Sequence, residues 1–107
     1  MRITITARHC EIPDELRGRA RTLLERLTKV ASRPHDGQVL FGEDHGTPTV
    51  EVRLHTARGA VHVASAGGAD HRTALDRAVG KVRRQLDKAP ARRRAAAARR
   101  ALEGELR

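Results

Sequence analysis

Val50-Glu51-Val52-Arg53-Leu54-His55-Thr56-Ala57-Arg58-Gly59-Ala60-Val61-His62-Val63-Ala64 is the stretch that decides how this chain folds. Val50, Val52 and Leu54 alternate with Glu51, Arg53 and His55. A period of two with β-branched residues marks a strand that buries one face. Val61 and Val63 alternate with His62 and Ala64 in the next strand, and Arg58-Gly59 between them reads as a tight hairpin turn. Strands joined this closely pair antiparallel.

Toward the N-terminus, Gln38 to Glu43 contains Val39 and Phe41 and predicts a short strand, with Asp44-His45-Gly46-Thr47-Pro48 as the turn that follows. Met1, Ile3, Ile5 and Ala7 alternate with Arg2, Thr4, Thr6 and Arg8, which predicts the first strand. Between these two strands, Pro13-Asp14-Glu15 opens a helix: proline suits the first turn, and acids suit the positive end of the dipole. Leu16, Ala20, Leu23, Leu24, Leu27 and Val30 form one apolar stripe, and residues 32–37 end the helix in a loop.

Toward the C-terminus, Gly67-Gly68 breaks the last strand and Asp70 is a good N-cap. A second helix follows with Leu75, Ala78, Val79, Val82 and Leu86 on one side, and Pro90 ends it. The predicted order is β-α-β-β-β-α. The fold class is α+β: a four-stranded mixed sheet with two helices packed on one face and a basic C-terminal tail. The helix between the first two strands implies a parallel pair with a right-handed crossover. Residues 1–90 form the domain, and residues 91–107, rich in Arg and Ala with little apolar face, form a tail that is mobile or helical.

Charge is distributed very unevenly. Residues 1–70 carry ten Lys and Arg against nine acids, whereas residues 71–107 carry twelve against four, a net +8 in 37 residues. A field this lopsided suits a polyanion, because Lys and Arg that meet phosphates release condensed counterions. At 100° per residue, Arg77, Lys81, Arg84 and Lys88 fall within about 60° of arc, opposite the apolar side of the second helix. Arg83 flanks this row, Asp76 and Asp87 lie beside it, and Arg92, Arg93 and Arg94 extend it past Pro90. The ordinary alternative is a solvated face, but such faces usually mix signs. On the first helix, Arg17, Arg19, Arg21, Arg26 and Lys29 are spread around the exposed side. Arg26 and Lys29 also relieve the helix dipole. Arg2, Arg8 and Arg53 point out from the open sheet face, alongside Glu51.

Other chemistry finds little support. Cys10 is the only cysteine, which excludes an intramolecular disulfide, and it reads as a small half-buried apolar residue. His45, His55 and His62 do not have metal-ligand spacing, although His55 and His62 face each other in the simplest hairpin pairing. Nothing resembles a catalytic triad, a carboxylate pair or a phosphate-binding glycine loop, and Ala66-Gly67-Gly68-Ala69 reads as a strand-to-helix turn. No enzyme activity, cofactor, metal or small-molecule substrate is expected. Phe41 is the one aromatic, so recognition of RNA by base stacking on the sheet is excluded. The absence of a long apolar run or a signal-peptide core predicts a cytoplasmic protein with no membrane partner.

The sequence resembles the ribosome hibernation promoting factor and ribosome-associated inhibitor A (sigma-54 modulation protein) family. Ile3-Thr4-Ile5-Thr6-Ala7-Arg8-His9, Glu11-Ile12, Leu16-Arg17 and Arg26-Leu27-Thr28-Lys29 carry the likeness at the front. Val50-Glu51-Val52 with Gly59, Asp70, Ala74-Leu75-Asp76 and Lys81-Val82-Arg83-Arg84-Gln85-Leu86-Asp87-Lys88 carry it in the rest, so that it spans residues 1 to about 94. The resemblance implies a domain that occupies the messenger RNA and transfer RNA path of the small ribosomal subunit, with basic residues on ribosomal RNA. That role carries over to Arg8, Arg26, Lys29, Lys81, Arg84 and Lys88, with Arg92 and Arg93 beyond Pro90; the charge row adds Arg77. The chain departs from the family at His71-Arg72-Thr73, where an aromatic is frequent, and at Pro13, where a Thr cap is common. It reads as a short form, without the second domain of long-form members or the acidic extension of the inhibitor type. The rival readings are a generic double-stranded RNA-binding or RNA-chaperone module and a regulator that binds an acidic protein.

Overall fold

A computed structural model describes residues 1–31 and 33–87. Strand β1 (Arg2–Ala7), helix α1 (Asp14–Thr28), β2 (Asp36–Asp44), β3 (Thr47–His55) and β4 (Val61–Gly67) follow in order, and helix α2 is described over residues 71–87. The predicted stop at Pro90 and the 91–107 tail lie outside the described residues. The sheet order is β1-β2-β3-β4. Strands β1 and β2 are parallel, and the other two pairs are antiparallel. The expected mixed sheet is therefore present.

Each helix starts for a local reason. Pro13 is extended at φ −60° and ψ 149°, and its carbonyl accepts the N–H groups of Leu16 and Arg17. Asp14 and Glu15 stand in the first turn of α1. At α2, Asp70 Oδ1 accepts the Thr73 N–H at 2.7 Å, satisfying a donor that has no partner within the helix. This bond, then the Thr73 hydroxyl, holds the Asp70 carboxyl below its usual range.

One core joins both helices to one face of the sheet. Val39, Phe41, Val50, Val52 and Leu54 of the strands are buried with Ala20, Leu24 and Leu27 of α1 and with Ala74, Leu75, Ala78, Val79, Val82 and Leu86 of α2. Gly37 permits a close approach here: a Cβ at this position would lie 2.8 Å from Leu24 Cδ2. Val30, predicted to lie in the α1 stripe, instead follows the helix end and is 37% exposed.

Two hairpins differ from the sequence expectation. Strands β2 and β3 stay paired to Asp44↔Thr47, so the predicted five-residue turn shrinks to His45-Gly46. Both turn residues have positive φ (50° and 82°), which suits the right-handed twist of a two-residue hairpin. Between β3 and β4, Arg58 and Gly59 have φ of 63° and 71°, inside a short 3-10 segment Ala57–Gly59. The resulting register sets Val52 opposite Ala64 and Leu54 opposite His62. Cross-strand neighbours share a face, so His62 and Ala64 lie on the core side, while Val61 and Val63 stand on the open face, 48% and 41% exposed. His55 pairs with Val61, which places His55 and His62 on opposite faces of the sheet.

Phe41→Ala should cost about 3–5 kcal/mol in chemical denaturation, because the ring is fully buried and its loss leaves a cavity in the core. Asp70→Ala should lower the thermal midpoint at pH 7. Because the folded carboxyl titrates below its unfolded value of about 4, its stabilisation is complete above that pH and is lost as pH falls through the folded value. The gap between wild type and variant should therefore narrow as the pH is lowered through the acid range; a gap independent of pH would contradict the cap.

Candidate nucleic-acid interface

The topology brings the cations of the two helices toward a common end. Helix α1 returns from the end of β1 to the start of β2, and α2 runs back along β4, so the two helices are parallel. A bidentate ion pair ties them side by side: Arg19 Nε and Nη2 donate to the two carboxylate oxygens of Asp76, each at 3.0 Å. This hydrogen bonding raises the Arg19 pKa further above its ordinary value. The pair removes Arg19 from the exposed positive set. It also directs Asp76 toward α1, leaving the cationic face of α2 without that acid.

The four-residue row on α2 does not act as one unit. Arg77 Nη1 donates to the Gly67 carbonyl at 2.9 Å, and Lys81 Nζ donates to the Ser65 carbonyl at 2.8 Å. Gln85 Nε2 continues the series to the Val63 carbonyl at 2.9 Å. The geometry behind this match is simple. Positions four apart on a helix advance about 6 Å, and positions two apart on a strand advance about 6.6–6.8 Å. Three side-chain donors therefore meet three successive outward carbonyls of the β4 edge, which strand pairing leaves unpartnered.

Arg84 is exposed, and its side chain has no hydrogen-bond or ion-pair partner among the described residues; the same holds for Arg83, Arg26 and Lys29. Arg26 and Lys29 close α1 at the end of the molecule toward which α2 carries Arg83 and Arg84. Lys88, Arg92 and Arg93 lie outside the described residues. Arg8 is exposed on the other side of the sheet, where Thr4, Thr6, Gln38, Leu40, Glu51 and Arg53 line a shallow trough of about 390 Å³ with it. Within that trough Arg53 Nε donates to Glu51 at 3.2 Å. The predicted site residues thus occupy two layers: helix cations on one and Arg8 on the other.

Three residues, Gln85, Asp76 and His71, make contacts that the sequence does not announce. The i+4 spacing of Gln85 from Lys81 is visible in the sequence; the strand register that gives the spacing meaning is not. Asp76 had no visible partner, since Arg19 is 57 residues away. His71 packs edge-on to Phe41 with ring centroids 5.9 Å apart. Its Nε2–H donates to the Gly42 carbonyl at 2.7 Å, tying the start of α2 to β2. Among the described residues no cluster of His, Cys, Asp and Glu could hold a metal ion, and no helix is long and apolar enough to cross a membrane.

No curated protein matches the sequence. Among solved structures, the chain is similar to a ribosomal subunit interface protein from Coxiella burnetii, with a TM-score of 0.74 and 21% identity over 85% of this chain and 99% of that one. It is also similar to the N-terminal domain of Protein Y from Thermus thermophilus, with a TM-score of 0.71 and 23% identity over 82% of this chain and 98% of that one. At these identities the likeness establishes the fold. Residues 3–94 match the family described as sigma 54 modulation protein / S30EA ribosomal protein, and the chain belongs to that family.

Proposed function

We propose that this chain is a ribosome-binding translation silencer, a hibernation factor that occludes the messenger RNA and transfer RNA channel of the small subunit. Family membership supports a ribosomal partner, and the solved relative from Coxiella burnetii is described as a ribosomal subunit interface protein. The observation that carries the reading is the group of exposed cations Arg26, Lys29, Arg83 and Arg84, which have no acceptor among the described residues and stand toward the same end of two parallel helices. Cations left without an internal partner are available to phosphate.

The mechanism is steric. The domain needs no reacting group; it fills a path that messenger and transfer RNA would otherwise take. Affinity comes chiefly from phosphate neutralisation, because Phe41 is buried and offers no base-stacking surface. Guanidinium groups suit this role through their planar, multi-donor pairing with phosphate oxygens. Arg8, on the other layer, would reach RNA only if the domain is enclosed on both sides, as a channel would enclose it.

With about six cations on phosphates, log K should fall with log salt at a slope of about −4 to −5. Arg84→Glu combined with Lys88→Glu should abolish co-sedimentation with small subunits while the circular dichroism spectrum stays unchanged. Retained co-sedimentation would refute the site. Binding free RNA duplex as tightly as small subunits would favour a generic RNA-binding module instead.

A further inference from the structure

The ladder from α2 to β4 assigns separate tasks to neighbouring residues. Gln85 is exposed and uncharged, yet it makes the same kind of contact as the two cations before it. Its position matters more than its chemistry. It fastens the last described turns of α2, where Arg83 and Arg84 stand. Among the described residues, the apolar seam reaches this region through Val82 and Leu86. A side-chain donor held by a strand carbonyl adds a polar tether on the edge side of the helix.

We propose that the Arg77–Lys81–Gln85 ladder positions the phosphate-binding cations of α2, with Gln85 a positioning residue that does not itself meet RNA. The two cationic rungs serve both ends. An ammonium has three donors and a guanidinium five, so Lys81 and Arg77 each keep donors for phosphate while holding a carbonyl. Gln85 serves the edge alone. The part concerning RNA affinity rests on the ribosome-binding reading above; the fastening of α2 to β4 does not.

Charge and tether can be separated by substitution in the full chain. Gln85→Ala removes a tether and no charge. Lys81→Gln removes a charge and keeps an amide donor for the Ser65 carbonyl. Gln85→Arg restores a donor at the third rung. Two readouts are needed: amide hydrogen exchange across residues 61–67 and 80–87, and the salt dependence of binding to purified small ribosomal subunits.

Gln85→Ala should speed exchange over residues 80–87 of α2 roughly 3–10-fold, the effect of one ordinary hydrogen bond. It should weaken subunit binding several-fold at an unchanged salt slope. Lys81→Gln should leave exchange near wild type and reduce the slope by about 1. Gln85→Arg should return exchange to the wild-type rate. Wild-type exchange in Gln85→Ala would overturn the proposal, as would unweakened binding or a reduced salt slope in that variant. If the wild-type chain fails to bind small subunits at all, the ribosome-binding reading falls, and the exchange data alone decide whether the ladder fastens α2.

Discussion

Burial of one side of α2 governs what the rest of that helix can do. Ala74, Leu75, Ala78, Val79, Val82 and Leu86 all lie in the core, and a helix with that seam inward has little rotational freedom. Its rotation decides which side chains overhang the β4 edge and which face away. Arg77, Lys81 and Gln85 reach the edge carbonyls, and Arg83 and Arg84 make no such contact. The apolar pattern therefore sorts the charges, although it carries none. A seam displaced by one residue would turn the helix by about 100° and hand the carbonyls a different set of side chains.

Much of this was legible in the sequence because it depends on periodicity. Every α2 residue predicted to be apolar and inward is buried, and the Asp70 cap forms as its residue type suggests. Strand order and the parallel first pair follow from where the helix interrupts the strands. What was not legible depends on register. Alternation in residues 61–64 fixes two sets of side chains but not which set faces the core. Pairing with β3 makes that choice, and it puts Ala64 and His62 inward and the more apolar Val61 and Val63 outward. Hydrophobicity alone points the other way; here the hairpin geometry prevails over the valines.

The candidate site shows the same division. Clustering of charge on α2 is a property of one helix and was visible. Which of those charges have partners depends on a strand whose carbonyls have no signature in sequence. The Arg19–Asp76 pair illustrates this from the other side, since the acid that would have softened the positive face is drawn away by a residue on α1. An exposed pair of this kind adds little stability by itself. Its larger effect is on the electrostatic pattern: one cation and one anion are consumed together, and the remaining exposed set on α2 becomes more uniform in sign.

Holding a cation against a carbonyl does not make it a poorer ligand for phosphate. The contact leaves the charge intact, because a carbonyl contributes only a dipole, whereas a carboxylate would cancel the charge. It also removes rotamer freedom before the anion arrives; ordering a long side chain on binding costs about 0.5–1.5 kcal/mol. Two classes of cation should therefore coexist on α2. Arg77 and Lys81 are ordered in advance with donors to spare, and Arg83 and Arg84 are unconstrained and can adapt to irregular RNA. The first class carries less entropic cost per phosphate, and the second tolerates more variation in where that phosphate lies. On the proposed ribosome-binding reading, the partner is folded RNA whose phosphates are fixed but unevenly spaced, and such a partner gives both classes a use.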